Sequence, residues 1–227
     1  MDYQNIITGL GFWFLIWYVV WGFFWVIMIP RKHDYYNNHL STALYFLFFA
    51  ACSFSFYFPF FAQFEIRAAS LVVIITLFIL LFFSFRFLYN SNQQSSKIVQ
   101  KCIGQRFFIL PHYKFLISKS FEILFQQVMF VSLAIFLHKH IPGLLLLFGI
   151  LIVVYVVAHL PILKFFKKVV FGWYFTCASA LAAVVFSFLI LFAPDGPFLS
   201  YGLHWLFYLV SAAFLWNSST AQKLIEN

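Results

Sequence analysis

Charged residues are scarce in this sequence, and their scarcity decides the class of protein. Asp, Glu, Lys and Arg make up 9% of the 227 residues, whereas soluble globular domains contain about 25%. Hydrophobic residues account for 64% of the chain and aromatic residues for 24%, and the mean hydropathy is +0.95. This composition excludes a soluble globular domain and predicts an all-α membrane protein, in which each span uses about 20 apolar residues.

Cysteine is scarce as well, which bears on disulfide and metal chemistry. Cys52, Cys102 and Cys177 lie far apart and form neither a CxxC pair nor a metal-type spacing. The H-E-x-x-H motif of zinc proteases is also missing. The sequence therefore favours neither a disulfide framework nor a zinc site, and we expect no cofactor.

Acidic residues are the rarest charges, with six Asp and Glu against 14 Lys and Arg, and the net charge is +8. In a soluble chain such a charge would suggest a nucleic-acid partner. Here the basic residues cluster between apolar runs, which is typical of the loops that orient a membrane protein. We therefore expect the lipid bilayer as partner and no nucleic acid.

The apolar runs are long enough for about seven spans. A proline at position 59 predicts a kink near the end of the second span, and Pro161 predicts a kink that does not end the fifth. The first run lacks a basic n-region and an A-x-A cleavage site, so we expect a retained span. The seven predicted spans are residues 9–29, 40–64, 68–85, 117–137, 141–161, 169–192 and 198–216.

The basic residues predict how these spans are oriented. With seven spans, the N-terminus shares one side of the membrane with the connections after spans two, four and six. That side receives only Arg67 and Lys139, and the other side receives 12 of the 14 Lys and Arg, six of them in the long connection 86–119. Because basic excess marks the cytoplasmic side, we expect the N-terminus outside and the C-terminus inside. The predicted location is a cell membrane, the cytoplasmic membrane of a bacterium.

One acidic residue, Glu122, lies within an apolar span, where a charge is costly. An ionisable group in the hydrocarbon costs a few kcal/mol and usually marks a functional site that faces the bundle interior. His159 and His204 are the single histidines of the fifth and seventh spans. We expect these three side chains to meet.

A carboxylate and two imidazoles can hydrolyse a peptide bond without a metal or a covalent nucleophile. The carboxylate would act as general base for water, and the imidazoles would hold the water or stabilise the oxyanion. The structural alternative stays open. In it, Glu122 pairs with Lys119 or reaches the interface, and the histidines link helices by hydrogen bonds.

The fourth and fifth spans carry short motifs of a known family. Glu122-Ile123 is followed by Gln127, and Tyr155 precedes His159 by four residues. This arrangement resembles the EExxxR and FxxxH motifs on the first two core helices of the CaaX-protease and bacteriocin-processing (CPBP) family of intramembrane glutamic endopeptidases. Isoleucine replaces the second glutamate of the first motif, and glutamine replaces its arginine.

The seventh span extends the resemblance. Tyr208 follows His204 by four residues, where the last core helix of the family has HxxxN, and the sixth span matches a core helix without a motif. The resemblance covers about residues 113–216. It divides the chain into an N-terminal three-span region with a cytoplasmic loop, residues 1–112, and a four-helix core, residues 113–227, that carries the polar site.

The resemblance implies an intramembrane endopeptidase that uses no metal. Glu122 would activate water, His159 would assist, and His204 would bind the water or the oxyanion. The implied substrate is a peptide or protein, presented from the membrane or the cytoplasmic side. Four other side chains would support the site by hydrogen bonding: Gln126, Gln127, Tyr155 and Tyr208.

Two other functions remain open at this point. One is a non-catalytic interaction protein on the same fold, such as an immunity or assembly factor with a membrane-protein partner. The other is a redox subunit in which His159 and His204 hold a haem. A retinal protein is excluded, because no lysine lies between Lys168 and Lys223. A transporter built from paired broken helices is disfavoured, because no internal symmetry is present.

Overall fold

The structure, a computed structural model, describes residues 3–62, 64, 68–91, 113–165 and 169–217. Within these ranges all regular structure is helical, so the prediction of an all-α protein is confirmed. Two one-turn helices, Phe58–Phe61 and Ile162–Phe165, accompany the longer ones. The longer helices are α1 (Tyr3–Phe23), α2 (His39–Phe56), α3 (Ala68–Ser91), α4 (Tyr113–His140), α5 (Leu144–His159), α6 (Val169–Phe192) and α7 (Gly196–Asn217).

Among the residues that the structure describes, four helical segments are long and apolar enough to cross a membrane: Tyr3–Arg31, His39–Phe56, Tyr113–His140 and Gly172–Phe192. Large apolar side chains cover much of the outer surface, including Leu145, which is 90% exposed. Such a surface is unstable in water and suits contact with lipid tails. The membrane character inferred from composition is therefore confirmed.

Helix α4 is the central helix of the bundle. It packs most extensively against α2 and also contacts α1, α3, α5, α6 and α7. A helix surrounded in this way is buried on every side, and most residues of α4 are inaccessible. Polar side chains in the buried part of α4 must consequently find their partners inside the protein.

Helix α1 is fastened to its neighbours by tryptophans. Trp13 donates its indole N–H to the carbonyl of Met129 on α4 at 2.7 Å, and Trp17 donates to the carbonyl of Ala158 on α5 at 3.1 Å. Both indole rings are buried and stacked 5.2 Å apart. These bonds fix the face of α1 that looks toward α4 and α5.

A π-helical turn, Phe24–Met28, and a 3₁₀ turn, Ile29–Arg31, extend α1 to the point where the chain reverses. The reversal occurs at Lys32, whose φ of 61° lies in the left-handed region. In the loop that follows, the Asp34 carboxylate accepts the backbone N–H groups of Tyr36 and Asn37, each at 2.8 Å. This turn holds the intervening residue, Tyr35, over α4.

Two predicted helix boundaries are wrong near α2 and α4. The second span ends at Phe56, and Pro59 lies in the first turn of a separate one-turn helix, so it breaks the helix instead of kinking it. Proline is favoured in a first turn because its missing N–H has no intrahelical partner there. Helix α4 begins at Tyr113 and not at residue 117, which brings one more turn of polar residues into the bundle.

The predicted continuation of α5 through Pro161 is also wrong, because α5 ends at His159. Pro161 has no N–H to donate to the carbonyl of Val157. Side chains of α1 use the carbonyls at this end instead: the Tyr18 hydroxyl donates to Val157 at 2.9 Å, and Trp17 donates to Ala158. The end of α5 is thus capped by another helix.

Helix α3 continues to Ser91, so the long connection predicted from residue 86 begins later than expected. The rest of this connection, residues 92–112, lies outside the described residues. The polar turn predicted at Glu65 and Arg67 and the basic pair Lys167 and Lys168 lie outside them as well.

The turn between α6 and α7 generates a test of the fold. A Cβ atom on Gly196 would lie 2.0 Å from the backbone oxygen of Leu189, which cannot move without distorting α6. We expect Gly196→Ala to lower the free energy of unfolding by about 1–3 kcal/mol, the usual cost of overpacking. Unfolding in detergent micelles, followed by circular dichroism, measures the change.

Gly149→Ala in α5 is the matched control, because a Cβ there meets nothing within 4 Å. It should leave the unfolding midpoint almost unchanged. Equal effects of the two substitutions would contradict the close approach of α7 to α6.

Candidate active site

A cavity of about 520 Å³ lies between α1, α4, α5, α6 and α7. Its walls are mainly apolar and aromatic, and most of the polar side chains among them are buried. Glu122 from α4, His159 from α5 and His204 from α7 all line it. The structure thus places the three principal predicted residues on one cavity. The other polar residues in its walls include Tyr35, Lys119, Gln126, Tyr155 and Tyr208.

Glu122 is only 1% exposed, and its carboxylate is held by three donors. The Lys119 ammonium and the Tyr35 hydroxyl make short contacts with it, and the Gln126 amide donates at 2.8 Å. A carboxylate has about four acceptor sites, so about one remains for a further ligand. The pairing with Lys119 is the contact that the structural alternative predicted, and it occurs inside the bundle instead of at the interface.

Lys119 supplies the positive charge of the site, and sequence reasoning did not include it among the site residues. It lies three residues before Glu122, a spacing that puts both side chains on one face of α4. Its ammonium also lies over the Tyr208 ring at 4.5 Å and the Tyr35 ring at 5.4 Å. These cation–π contacts stabilise a buried charge further.

The two glutamines of α4 serve different partners. Gln126 donates to Glu122, whereas Gln127 lies 3.1 Å from Nδ1 of His204 and its carbonyl oxygen lies 3.0 Å from the Ser200 hydroxyl. Successive residues on a helix point about 100° apart, which explains the division. Gln127 therefore orients His204 and makes no contact with Glu122 in the hydrogen-bond network of the described residues.

The imidazole of His204 is held in place by two aromatic rings and by a hydrogen bond at one nitrogen. The Phe186 ring and the Tyr208 ring each lie 5.4 Å from it, and the Tyr208 ring is nearly parallel to it. Because Gln127 binds Nδ1, Nε2 is the nitrogen that remains for a ligand.

His159 is fixed in the same manner at the end of α5. Its Nδ1 donates to the carbonyl of Tyr155 at 2.8 Å. Since a carbonyl only accepts, Nδ1 carries the proton, and in the neutral ring Nε2 has the free lone pair. The Tyr155 ring at 4.8 Å and the Trp17 ring at 5.7 Å hold the imidazole. Each histidine thus keeps one nitrogen for the cavity.

Tyr155 is an unpaired donor in the wall of the cavity. Its side chain is 1% exposed, and its hydroxyl has no hydrogen-bond partner among the residues that the structure describes. An unsatisfied buried donor costs about 1–3 kcal/mol. The ring itself packs against Phe130 at 4.3 Å, so the position of the hydroxyl is set by the core.

The three principal residues line one cavity from three different helices. Within the described ranges, no three side chains of His, Cys, Asp and Glu come together as a set of metal ligands. The cavity, at about 520 Å³, leaves room for a substrate group and a water beside these residues. The arrangement suits the attack of a bound water on a carbonyl.

The N-terminal region also contributes to the site. Tyr35 binds the carboxylate of Glu122, and Trp17 contacts His159. The polar site is therefore not built from residues 113–227 alone. No sequence spacing links the loop that holds Tyr35 to α4, whereas the pairing of Lys119 with Glu122 has a readable signal in its three-residue spacing.

The buried ion pair generates a second test. Lys119→Met leaves a carboxylate without its cation, and Glu122→Gln leaves an ammonium without its anion. Removing one partner of a buried pair costs about 3–5 kcal/mol, whereas removing both costs much less. Unfolding free energies of the two single variants and the double variant should therefore show a coupling of about 3 kcal/mol or more. Additive effects would contradict the pair.

Comparison with known proteins identifies no relative of this chain. No protein-family model, no curated protein and no solved structure matches it. The resemblance to the CPBP family accordingly stays a prediction that depends on the short motifs of the fourth, fifth and seventh spans. A proposal of function is therefore based on the residues that line the cavity.

Proposed function

We propose that this protein is an intramembrane hydrolase of the endopeptidase type, which cleaves an amide bond with a water activated by Glu122. One observation carries the proposal: three separate helices bring a buried carboxylate and two imidazoles to the same cavity. An ionisable group inside a membrane bundle is by default a functional residue. Here two histidines, each with one nitrogen left for a ligand, accompany it.

The reaction proceeds by direct attack of water. Glu122 binds the water at its remaining acceptor site, with Nε2 of His159 as the second acceptor, and takes its proton. The hydroxide oxygen bonds to the amide carbon, and the carbonyl oxygen becomes an oxyanion. The C–N bond then breaks, and the proton held by Glu122 passes to the leaving nitrogen. The products are a carboxylic acid and an amine.

His204 stabilises the oxyanion in this scheme. With the Gln127 amide donating to Nδ1, the proton of the neutral imidazole lies on Nε2, which donates to the developing negative charge. A preorganised donor of this kind lowers the activation barrier by about 2.7–4 kcal/mol. Tyr208 supports the role by stacking on the ring.

Lys119 and Tyr35 position the base. Both contact the carboxylate of Glu122 directly, and Gln126 adds a third bond. Lys119 balances the charge of Glu122, so the inner end of the cavity is close to neutral. In the CPBP motif a cation follows the glutamate, and here Lys119 precedes it. We propose that the chain is a divergent member of that family, with the cation supplied from the other side.

The predicted seven-span topology places this site in the cytoplasmic half of the membrane. In that topology α4 enters from the cytoplasm, and Glu122 lies nine residues after Tyr113, which corresponds to about 14 Å of helix. His159 lies at the end of α5 that returns to the same side. The end of a substrate that enters from the membrane or the cytoplasm would thus reach the water bound by Glu122.

A non-catalytic interaction protein is the second candidate, and one observation favours it. Three of the acceptor sites of Glu122 are already occupied, as they would be if the carboxylate only linked α4 to the loop of Tyr35. In that case the cavity would receive a partner or ligand without changing it.

Cleavage of a membrane-extracted proteome separates these candidates. Wild-type protein in proteoliposomes should generate new peptide termini, identified by mass spectrometry. Glu122→Gln and His159→Ala should each lower the rate at least 100-fold, the low end of the contribution of a general base. His204→Ala should lower it about 100–1000-fold through loss of an oxyanion donor.

His138→Ala is the matched control, because His138 is exposed at the end of α4 and does not line the cavity. It should cleave at the wild-type rate. Identical termini from wild type and Glu122→Gln, with both proteins equally folded, would refute the hydrolase and favour the interaction protein.

Cysteine labelling tests the predicted orientation. In a background without native cysteines, Lys139→Cys should react with a membrane-impermeant maleimide added to intact cells, and Lys32→Cys should react only after permeabilisation. The positive-inside rule puts position 32 in the cytoplasm and position 139 outside. The reverse labelling pattern would show that the topology is inverted.

A further inference from the structure

The cavity opens on the outer surface of the bundle between α1 and the pair α6 and α7. Helix α1 packs against α4 and α5. On its free side, Tyr18 is 37% exposed and Gly22 lies beside the opening. Across from them, Leu206 is 44% and Val210 is 59% exposed, and all four residues line the cavity. These residues form the rim of a lateral opening.

The rim lies at the depth of the lipid tails. Gly22 is nine residues before Arg31, which corresponds to about 14 Å of helix. Leu206 and Val210 are ten and fourteen residues after Gly196, which corresponds to about 15 Å and 21 Å. The hydrocarbon core of a bilayer is about 30 Å thick, so the opening faces hydrocarbon and not water.

The size of the cavity limits what can enter. Its volume is about 520 Å³, within the range of about 300–1,000 Å³ for small-molecule sites. An α-helix with side chains is about 10–12 Å across and rises about 5.4 Å per turn, so two helical turns would need more volume than the cavity has. A single extended chain fits, and a folded transmembrane helix does not.

The chemistry of the walls selects the kind of chain. The rim is mainly apolar, with the Tyr18 hydroxyl bonded to the carbonyl of Val157, and at the buried end Lys119 balances Glu122. Two buried donors in the walls, the Tyr155 hydroxyl and the Trp21 indole N–H, have no acceptor among the described residues. Such an end suits an uncharged group that accepts hydrogen bonds, and a carbonyl is the simplest.

We propose that the cavity binds a membrane amphiphile through this lateral opening: one hydrocarbon chain that ends in an uncharged amide carbonyl. The chain lies along the aromatic wall of α1 and α7, and the carbonyl reaches the polar end. Binding is a property of the cavity itself. The assignment of this amphiphile as the substrate rests on the hydrolase proposed above, whose water attacks the same carbonyl.

Gly22 offers a direct test of the opening. A Cβ on Gly22 meets nothing within 4 Å, and the same holds for Gly11 in the same helix, which does not line the cavity. Leucine at position 22 would project into the opening without moving the backbone. Gly11→Leu makes the same chemical change elsewhere on the lipid-facing helix and serves as the matched control.

The probe is a long-chain fatty amide with a diazirine in its chain, photolysed in proteoliposomes that contain the His159→Ala protein, which keeps the Lys119–Glu122 pair and has slow turnover in the proposed scheme. We expect covalent labelling of peptides from α1 and α7. Adding Gly22→Leu should lower this labelling at least 5-fold, whereas adding Gly11→Leu should change it less than twofold. An amide of equal chain length should compete at least 10-fold better than the corresponding trimethylammonium amphiphile.

Equal labelling of the Gly22→Leu and Gly11→Leu proteins would overturn the proposal, and so would equal competition by the cationic amphiphile. If an unacylated apolar peptide reduced the labelling as strongly as the amide does, the amphiphile would be refuted. The cavity would then be assigned to the side chains of a peptide. Labelling as expected without any cleavage by the wild-type protein would refute the hydrolase alone. Cleavage by the wild-type protein, together with labelling that Gly22→Leu does not lower, would refute the lateral opening alone.

Discussion

The ion pair between Lys119 and Glu122 is the interaction on which the rest of the structure depends. Two charges inside a membrane bundle are tolerated only when they meet each other and fill their remaining hydrogen-bond sites. The pair is buried because α4 is surrounded by the other helices, and the loop after α1 closes over it with Tyr35. The central position of α4 is therefore what puts an acidic site inside the bundle.

The rest of the cavity follows from how neighbouring helices end. Helix α5 stops at His159 because Pro161 cannot continue the ladder and side chains of α1 take the open carbonyls. That stop places an imidazole on the cavity that Glu122 also lines. Helix α7 contributes His204, which Gln127 orients from α4. Each histidine is thus held by a backbone or amide contact that leaves one nitrogen for a ligand, a preorganisation that the proposed catalysis requires.

The sequence predicted the helices and the principal polar residues because both can be recognised from local differences in hydropathy along the chain. Apolar runs define spans, and Glu122, His159 and His204 stand out against them. The three-residue spacing of Lys119 and Glu122 predicted their pairing only as a structural alternative, because spacing alone does not show that the pair is buried inside the bundle. Tyr35 could not be found, since its contact with Glu122 joins residues 87 positions apart. The end of α5 depends on α1 in the same way, and tertiary contacts of that kind leave no local pattern.

The most direct test of the central claim, that Glu122 directs water at an amide carbonyl, is cleavage in H₂¹⁸O. The account predicts that each new carboxyl terminus generated by the wild-type protein carries solvent ¹⁸O, and that the Glu122→Gln protein generates no such labelled termini. New termini without ¹⁸O, or labelled termini in equal amount from both proteins, would contradict it.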